Sequence, residues 1–279
     1  MKKPFLKWTG NKFRLLNDLL PLIGSPQTFC EPFGGSFVVS LNVSATHYIL
    51  NDYNENLINV YNHLLESPLF IQQTKEYFKP ENNTSEMFYD SRKQFNQTND
   101  KELKAKLFVY LNRHCFNGIT RFNNKNEFNV PFGKYKTVKF PEQELNQFRN
   151  YFTDKTIHNK SFESDYLYSN LQKGDVVYFD PPYYPVSNTS NFTKYAKDDF
   201  TIQHQKRLAE LAKSLSKSGI KVIVSNSNVD ECIDLYQDAE IIKVDIYRSI
   251  AANSQSRKSV KEIILFLFIQ FYTTNARSY

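Results

Sequence analysis

Glycine is scarce in this chain of 279 residues: there are 8, roughly 3% where about 7% is ordinary. Those present form neither GxGxxG nor a P-loop Gly-Lys-Ser/Thr, so nucleoside triphosphate chemistry has no support. Cysteine is scarcer still. Cys30, Cys115 and Cys232 lie far apart and are odd in number, so they make no disulfide framework and no CxxC metal pair, and a reducing, cytoplasmic setting is expected. The five histidines yield no HExxH and no His/Cys cluster at ligand spacing, which argues against a metal hydrolase or a zinc deaminase; no metal is expected. A GxSxG nucleophile elbow is missing too. Long apolar runs are also lacking. The longest, Ile263 to Tyr272, is interrupted by Gln270 and covers about half of the ~20 residues a membrane helix needs, so it reads as a buried strand. Met1 to Trp8 carries two lysines but no apolar h-region, so neither a signal peptide nor a membrane association is expected.

What the chain does contain is a globular composition, 41% apolar and 23% charged. Its length suits one large domain, or a domain with an insertion. Phe (24) and Tyr (18) are abundant, a bias that an A+T-rich genome accounts for. The net charge of +6 is informative because it clusters. Between Arg121 and Lys139 stand five basic residues (Arg121, Lys125, Lys134, Lys136, Lys139) and one acid, Glu127. Phe122, Phe128, Phe132 and Tyr135 are interleaved with them. A solvated basic face is the plain explanation; charge mixed with aromatics and asparagines is also what nucleic-acid contact requires.

The pattern of elements changes along the chain. Lys12 to Leu20 reads as a helix ending near Pro21. Thr28 to Glu31 reads as a strand entering Pro32-Phe33-Gly34-Gly35, Phe37 to Val43 as an apolar helix, and His47 to Leu50 as a second strand closing on Asn51-Asp52. Strand, glycine turn, helix, strand is the opening of a parallel α/β sheet. The middle, from Tyr53 to Pro141, loses that alternation. Asn99 and Glu102 resemble a capping box before Leu103, Leu107 and Leu111, and Phe122 to Phe128 reads as a hairpin or ordered loop. The α/β pattern resumes with a strand over 175–179, a helix opening at Thr201 and stopping at Gly219, a strand over 220–224, and two antiparallel strands near 240–246 and 260–268.

The strongest local signal is Asp180-Pro181-Pro182-Tyr183, directly after a strand, where ligands sit in open α/β sheets. Two prolines cannot extend a central strand and fix a stiff turn. That turn holds the Asp180 carboxylate and a proline carbonyl as acceptors, with the Tyr183 ring beside them. Such a cluster grips an exocyclic amino group while the ring stacks on the base. A simple strand-ending turn is the alternative. Asp52 lies 17 residues beyond Gly35 at the end of the next strand, close to the spacing at which an acidic residue binds ribose hydroxyls. An exposed turn aspartate is the other reading.

Phe33-Gly34-Gly35, then Asn112-Arg113 through Asn129-Val130-Pro131-Phe132-Gly133-Lys134-Tyr135, then Asp180-Pro181-Pro182-Tyr183 occur in that order. With these motifs, and with Phe5-Leu6-Lys7-Trp8, Glu127 to Pro131 and Asn191-Phe192-Thr193, the chain resembles the Dam-type DNA adenine-N6 methyltransferases of the α group over nearly its whole length. The resemblance implies a Rossmann-like sheet, mostly parallel with an antiparallel strand, and a mainly helical target-recognition insertion. Residues 1–54 and 142–279 would form the catalytic domain and 55–141 the insertion. It further implies methyl transfer from S-adenosylmethionine, without a metal, to N6 of a flipped adenine in double-stranded DNA, with GATC as the expected site. Methylation of cytosine N4 or of an RNA base, and a catalytically inactive DNA-binding homologue, are the rival readings.

Residue by residue, Trp8, Lys12, Asp52 and Asp180 match donor-contacting positions, with Phe33 and Gly35 shaping the pocket. Asp180, Pro181, Pro182 and Tyr183 match the amine-binding motif. Phe116, Asn117, Ile119, Arg121, Asn123 and Pro131 match the DNA-reading segment, to which Arg113 and Asn129 are added. Lys7 matches a position near the outer base pair, and Lys134, Tyr135 and Lys136 match phosphate contacts. No obligate protein partner is implied. Two departures stand out. Phe37 occupies the place of the family's second glycine, and Phe116 stands where tyrosine is common, which keeps the ring and removes a hydroxyl. Thr9-Gly10-Asn11-Lys12 and Ser40 to Val43 are similar to bacteriophage members.

Overall fold

A computed structural model describes residues 1–184, 200–247 and 259–268. Its centre is a seven-stranded sheet built from β1 (Thr28–Glu31), β2 (His47–Asn51), β3 (Ile157–His158), β4 (Val176–Phe179), β5 (Lys221–Ser227), β6 (Glu240–Tyr247) and β7 (Ser259–Leu267), in the order β3-β2-β1-β4-β5-β7-β6. The first five strands are parallel, and β7 runs antiparallel between β5 and β6. This is the expected class, mixed α/β with a mostly parallel sheet. All four residues of β4 are buried, as a strand covered on both faces demands. The chain leaves β1 toward β2 on one side and later returns to β4 on the other, so the sheet's topological switch lies between β1 and β4. Their carboxyl ends carry the glycine turn and Asp180, which fixes where a ligand crevice belongs.

The helices are α1 (Leu16–Ile23), α2 (Glu55–Glu66), α3 (Phe70–Lys75), α4 (Ser85–Gln97), α5 (Lys101–His114), α6 (Glu142–Phe152), α7 (Ile202–Lys217) and α8 (Asp230–Ile233). Three local expectations need correction. First, α1 passes through Pro21 and stops at Gly24, whose amide bonds to the Leu20 carbonyl at 2.9 Å. The proline removes one backbone donor, and burial of Leu16, Leu19 and Ile23 holds the remaining turn. Second, the segment 37–43 is a string of turns rather than a regular helix. Amides of Leu41 and Val43 do bond back four residues, to Phe37 and Val39, but Phe37 itself has φ +52° and cannot open a helix. Third, α5 is capped by Asp100, which accepts the Leu103 amide, and not by Asn99. The α7 helix begins as expected at Thr201, which forms a reciprocal cap with His204.

The middle of the chain packs as one aromatic-rich core. Phe88, Phe95, Phe108 and Phe128 from this region are buried together with Tyr61 of α2 and Phe148 and Phe152 of α6. The hairpin or ordered loop expected over Phe122 to Phe128 is present, closed by the antiparallel bridge Phe122↔Phe128, and a second bridge, Cys115↔Phe132, extends the ordered segment. It is clasped by α4: the Asn96 side chain bonds both backbone groups of Phe128, and Arg92 donates to the Val130 carbonyl. All three cysteines are buried and free. Among the described residues no helix is long and apolar enough to cross a membrane.

Candidate active site

The glycine turn leaves β1 with its backbone bent back on β2, the Gly34 amide bonding the Asn51 carbonyl at 2.8 Å. Gly35 sits at φ +50°, and a Cβ there would lie 2.8 Å from the Trp8 indole nitrogen, so only glycine fits. Phe37 adopts a left-handed backbone conformation, at φ +52°. The strained residue is tolerated because its ring is fully buried, at 5.1 Å from Tyr61 and close to Phe148 and Phe152. The same ring fills the space in front of Gly34, where a Cβ would collide with it.

Asp52 closes this turn from β2. One carboxylate oxygen accepts the Gly35 amide at 2.7 Å and the other the Asn54 amide at 2.8 Å. Burial pushes its carboxyl above the usual carboxylate range, and these two bonds work in the opposite direction. Glu31, at the end of β1, is 2% exposed, and its carboxylate takes both the amide and the hydroxyl of Ser40. Burial, with Asp180 and Asp52 nearby, pushes its carboxyl up to about 8, so it is protonated at neutral pH.

Asp180 follows β4. Its Oδ1 pairs with the Lys12 ammonium at 2.7 Å. That nearly buried lysine also donates to the Gly10 carbonyl at 2.6 Å and lies 4.8 Å from the centroid of the Tyr183 ring. Burial lifts the Asp180 carboxyl to about 6, with Lys12 holding it down. The predicted residues Trp8, Lys12, Gly35, Asp52, Asp180 and Tyr183 are thus drawn to the carboxyl ends of β1, β2 and β4. Phe33 turns its ring into a cluster with Phe162, Phe179 and Phe200.

Four polar residues that the sequence reading passed over pin the 180–184 turn. Gln205, fully buried on α7, donates to the Pro182 carbonyl at 2.7 Å and accepts from Asn226. Asn226 accepts the Tyr184 amide, the Ser227 hydroxyl donates to the Tyr184 carbonyl, and Glu262 accepts the Tyr183 hydroxyl at 2.6 Å. Only Glu262 carried a signal, as the one acid in an apolar strand; Gln205 lies among Gln203, His204, Lys206 and Arg207, and Asn226 and Ser227 in a polar strand end. Among the described residues no cluster of His, Cys, Asp or Glu suited to hold a metal ion occurs.

The predicted DNA-contacting residues divide into exposed and structural ones. Phe116 is 50% exposed, and its amide bonds the Pro131 carbonyl; Asn117 beside it is exposed at φ +53°. Arg121 and Pro131 are exposed as well, and the Arg121 Nε donates to Asn129 at 2.9 Å. Lys134, at φ +53°, and Lys136 continue the basic edge. Asn123 is committed to the hairpin turn: its oxygen takes the amides of Lys125 and Glu127 and its nitrogen the Glu127 carboxylate. Arg113 is committed too, reaching the carbonyls of Phe5 and Lys139. Lys7 and Tyr135 meet at the junction of the amino-terminal segment and the insertion, with the ammonium 4.5 Å from the ring, and Ile119 is half-buried against the same core. Asn191-Phe192-Thr193 lies outside the described residues.

A family model described as D12 class N6 adenine-specific DNA methyltransferase matches residues 8–250. A DNA adenine methylase of Vibrio cholerae serotype O1 (strain Classical Ogawa 395) is 40% identical over 267 residues, covering 94% of this chain and 95% of that protein. The DNA adenine methylase of Escherichia coli K12 is 39% identical over 267 residues, with 95% of each chain covered. That of Serratia marcescens is 40% identical over 271 residues, covering 95% of this chain and 98% of the relative.

Proposed function

Because the chain belongs to the D12 class N6 adenine-specific DNA methyltransferases, we propose that it transfers the methyl group of S-adenosylmethionine to the flipped adenine of GATC in double-stranded DNA. The observation that carries this reading is the ion pair of Lys12 with Asp180 beneath the Tyr183 ring, beside the Asp52-Gly35 closure. The residues present fit the donor. At Gly35 the backbone runs against the Trp8 indole with no room for a Cβ, and Asp52 offers charged acceptors to a ribose. Asp52 lies near Asp180, whose paired cation among the described residues is the Lys12 ammonium, and two carboxylates to one ammonium favour a cationic ligand over a neutral one.

When bound, S-adenosylmethionine supplies a methyl carbon on a positively charged sulfur. The protein's work is to bring the amino group to it. The adenine must leave the duplex because its N6 is paired and shielded there, at a cost of a few kcal/mol. Asp180 and the Pro181 carbonyl accept the two N6 hydrogens; Pro182 is unsuited, since Gln205 already occupies its carbonyl. Tyr183 stacks on the base. With donor bound, N6 so held would direct its lone pair at that carbon, the carbon–sulfur electrons would pass to sulfur, and the surplus N6 proton would be lost to solvent. Alignment supplies most of the acceleration.

On the DNA side, the basic hairpin supports a division of labour. Arg121, its Nε tied to Asn129, presents a planar fork to a guanine, while Lys134, Tyr135 and Lys136 hold phosphates. The reading assigns residues 55–141 to target recognition and 1–54 with 142–279 to catalysis. Incubating the protein with labelled methyl donor and a randomised duplex library, then mapping modified bases, tests it: adenine-N6 methylation confined to GATC is expected, and a different base or motif would overturn it.

A further inference from the structure

The turn carrying Asp180 and Tyr183 is held by polar side chains from α7, β5 and β7, and one of these touches the ring itself. Glu262 is the only acid in the stretch 260–268, and it sits on β7 opposite Ser227 of β5. The residues that follow it, Ile263, Ile264 and Leu265, are fully buried. The 2.6 Å separation between its Oε2 and the Tyr183 hydroxyl is that of a charge-assisted O–H···O⁻ bond. A carboxylate is an expensive choice here, because it repels Asp180 nearby. Its hold on the ring offsets that cost. A tyrosine ring turns about two bonds only. With the Pro182 carbonyl and the Tyr184 amide fixed by Gln205 and Asn226, pinning the hydroxyl oxygen sets the direction of the ring axis, and because a phenolic O–H prefers the plane of its ring, an acceptor at a fixed place also biases the ring's tilt about that axis.

We propose that Glu262 is a positioning residue for methyl transfer, acting through the Tyr183 hydroxyl to hold the ring in the plane on which the extruded adenine stacks. The inference rests on the stacking role given to Tyr183 above. In-line attack tolerates little displacement of N6, so a ring free to tilt slows the methyl-transfer step. Donor binding is spared, because the Asp52 and Gly35 contacts do not involve Glu262.

The test is a double-mutant cycle on single-turnover methylation at saturating donor, using Glu262→Ala, Glu262→Gln, Tyr183→Phe and the double variant Tyr183→Phe/Glu262→Ala. Glu262→Ala is expected to slow the step roughly tenfold or more, the range for losing a hydrogen bond to a charged group, with donor KM changed less than about twofold. Tyr183→Phe should lose a similar amount and the double variant no more than either single. Glu262→Gln, which keeps an acceptor and so a neutral hydrogen bond, should stay within about fivefold of the parent. Independent losses in the two backgrounds, a loss confined to donor KM, or equal loss for Gln and Ala would overturn the proposal. If Glu262→Ala does not fold, the effect of Glu262→Gln in the parent, compared with its effect in the Tyr183→Phe background, decides. Near-normal turnover of Tyr183→Ala, by contrast, would remove the stacking role itself and leave no ring for Glu262 to position.

Discussion

Replacing Lys12 by Met should move the acid limb of the pH–rate profile. Lys12 is the cation that keeps Asp180 ionised: its ammonium is 2.7 Å from Oδ1 and both groups are largely shielded from water. Even with that partner, burial leaves the Asp180 carboxyl at about 6, so about nine-tenths of it is ionised at pH 7. The carboxylate is the strong acceptor for an amino hydrogen of adenine; the protonated acid keeps only a weaker carbonyl acceptor and presents a donor of its own. An opposite charge at contact distance holds a carboxyl down by roughly 1–3 units, so its loss carries Asp180 to pH 7 or beyond. The ionised fraction at pH 7 then falls to about a half or lower, and each further unit costs about 1.4 kcal/mol. Methionine preserves the stem that lies beside Tyr183 while removing the charge. The assay is initial methylation rate from pH 5 to 9.5 at saturating donor and DNA, read by the position of the limb and not by its height, since Lys12 is also proposed to contact the donor. The parent should lose activity below about pH 6 and the variant about one unit or more higher. An unmoved limb in Lys12→Met would refute the claim that Asp180 acts as a carboxylate tuned by this lysine.

The sheet was legible in the sequence because each core strand announces itself twice, by an apolar run and by the turn chemistry that ends it. Val176 to Phe179 ends at Asp180-Pro181-Pro182, and Thr28 to Glu31 ends at the glycine turn. The segment 37–43 misled because its apolar spacing suits a helix, whereas the backbone at Phe37 is set by tertiary demand: the turn needs a left-handed residue and the core needs a ring. Periodicity reports the second requirement and is blind to the first. The site divides along the same line. Asp52, Asp180 and Tyr183 were legible as chemistry at strand ends. Gln205 and Glu262 were not, since their partners lie 23 and 79 residues away in sequence, and only folding brings each side chain to the atom it serves. Arg113 and Asn123 show the converse: residue types suited to DNA whose polar atoms the fold engages for itself.

Three further outcomes are expected. Glu31→Gln should flatten the pH dependence of stability. The unfolded carboxyl ionises near 4.5 and the buried one only near 8, so folding loses about 1.4 kcal/mol per pH unit from this group as pH rises between those values. Thermal denaturation at pH 5.5 and 7.5 checks this, and parallel Tm–pH curves for parent and variant would contradict it. Asp52→Ala should weaken S-adenosylmethionine binding by roughly ten- to a hundredfold, the range for charged hydrogen bonds, with DNA affinity nearly unchanged; equal donor affinity in calorimetry would return Asp52 to a structural turn. Arg121→Ala should relax selectivity at one G·C pair of the site, because a planar fork engages guanine O6 and N7 together and its loss costs roughly 1–3 kcal/mol at that pair alone. Lys136→Ala should instead weaken all sequences alike and lower the salt slope by about one, as a phosphate contact does. The Arg121–Asn129 bond adds a stricter requirement: Asn129→Ala, which frees the guanidinium without removing it, should relax the same base pair to a smaller degree. Methylation rates on GATC and its single-pair variants decide the matter, and uniform losses across sites for both Arg121→Ala and Asn129→Ala would make Arg121 an anchor and place the reader elsewhere.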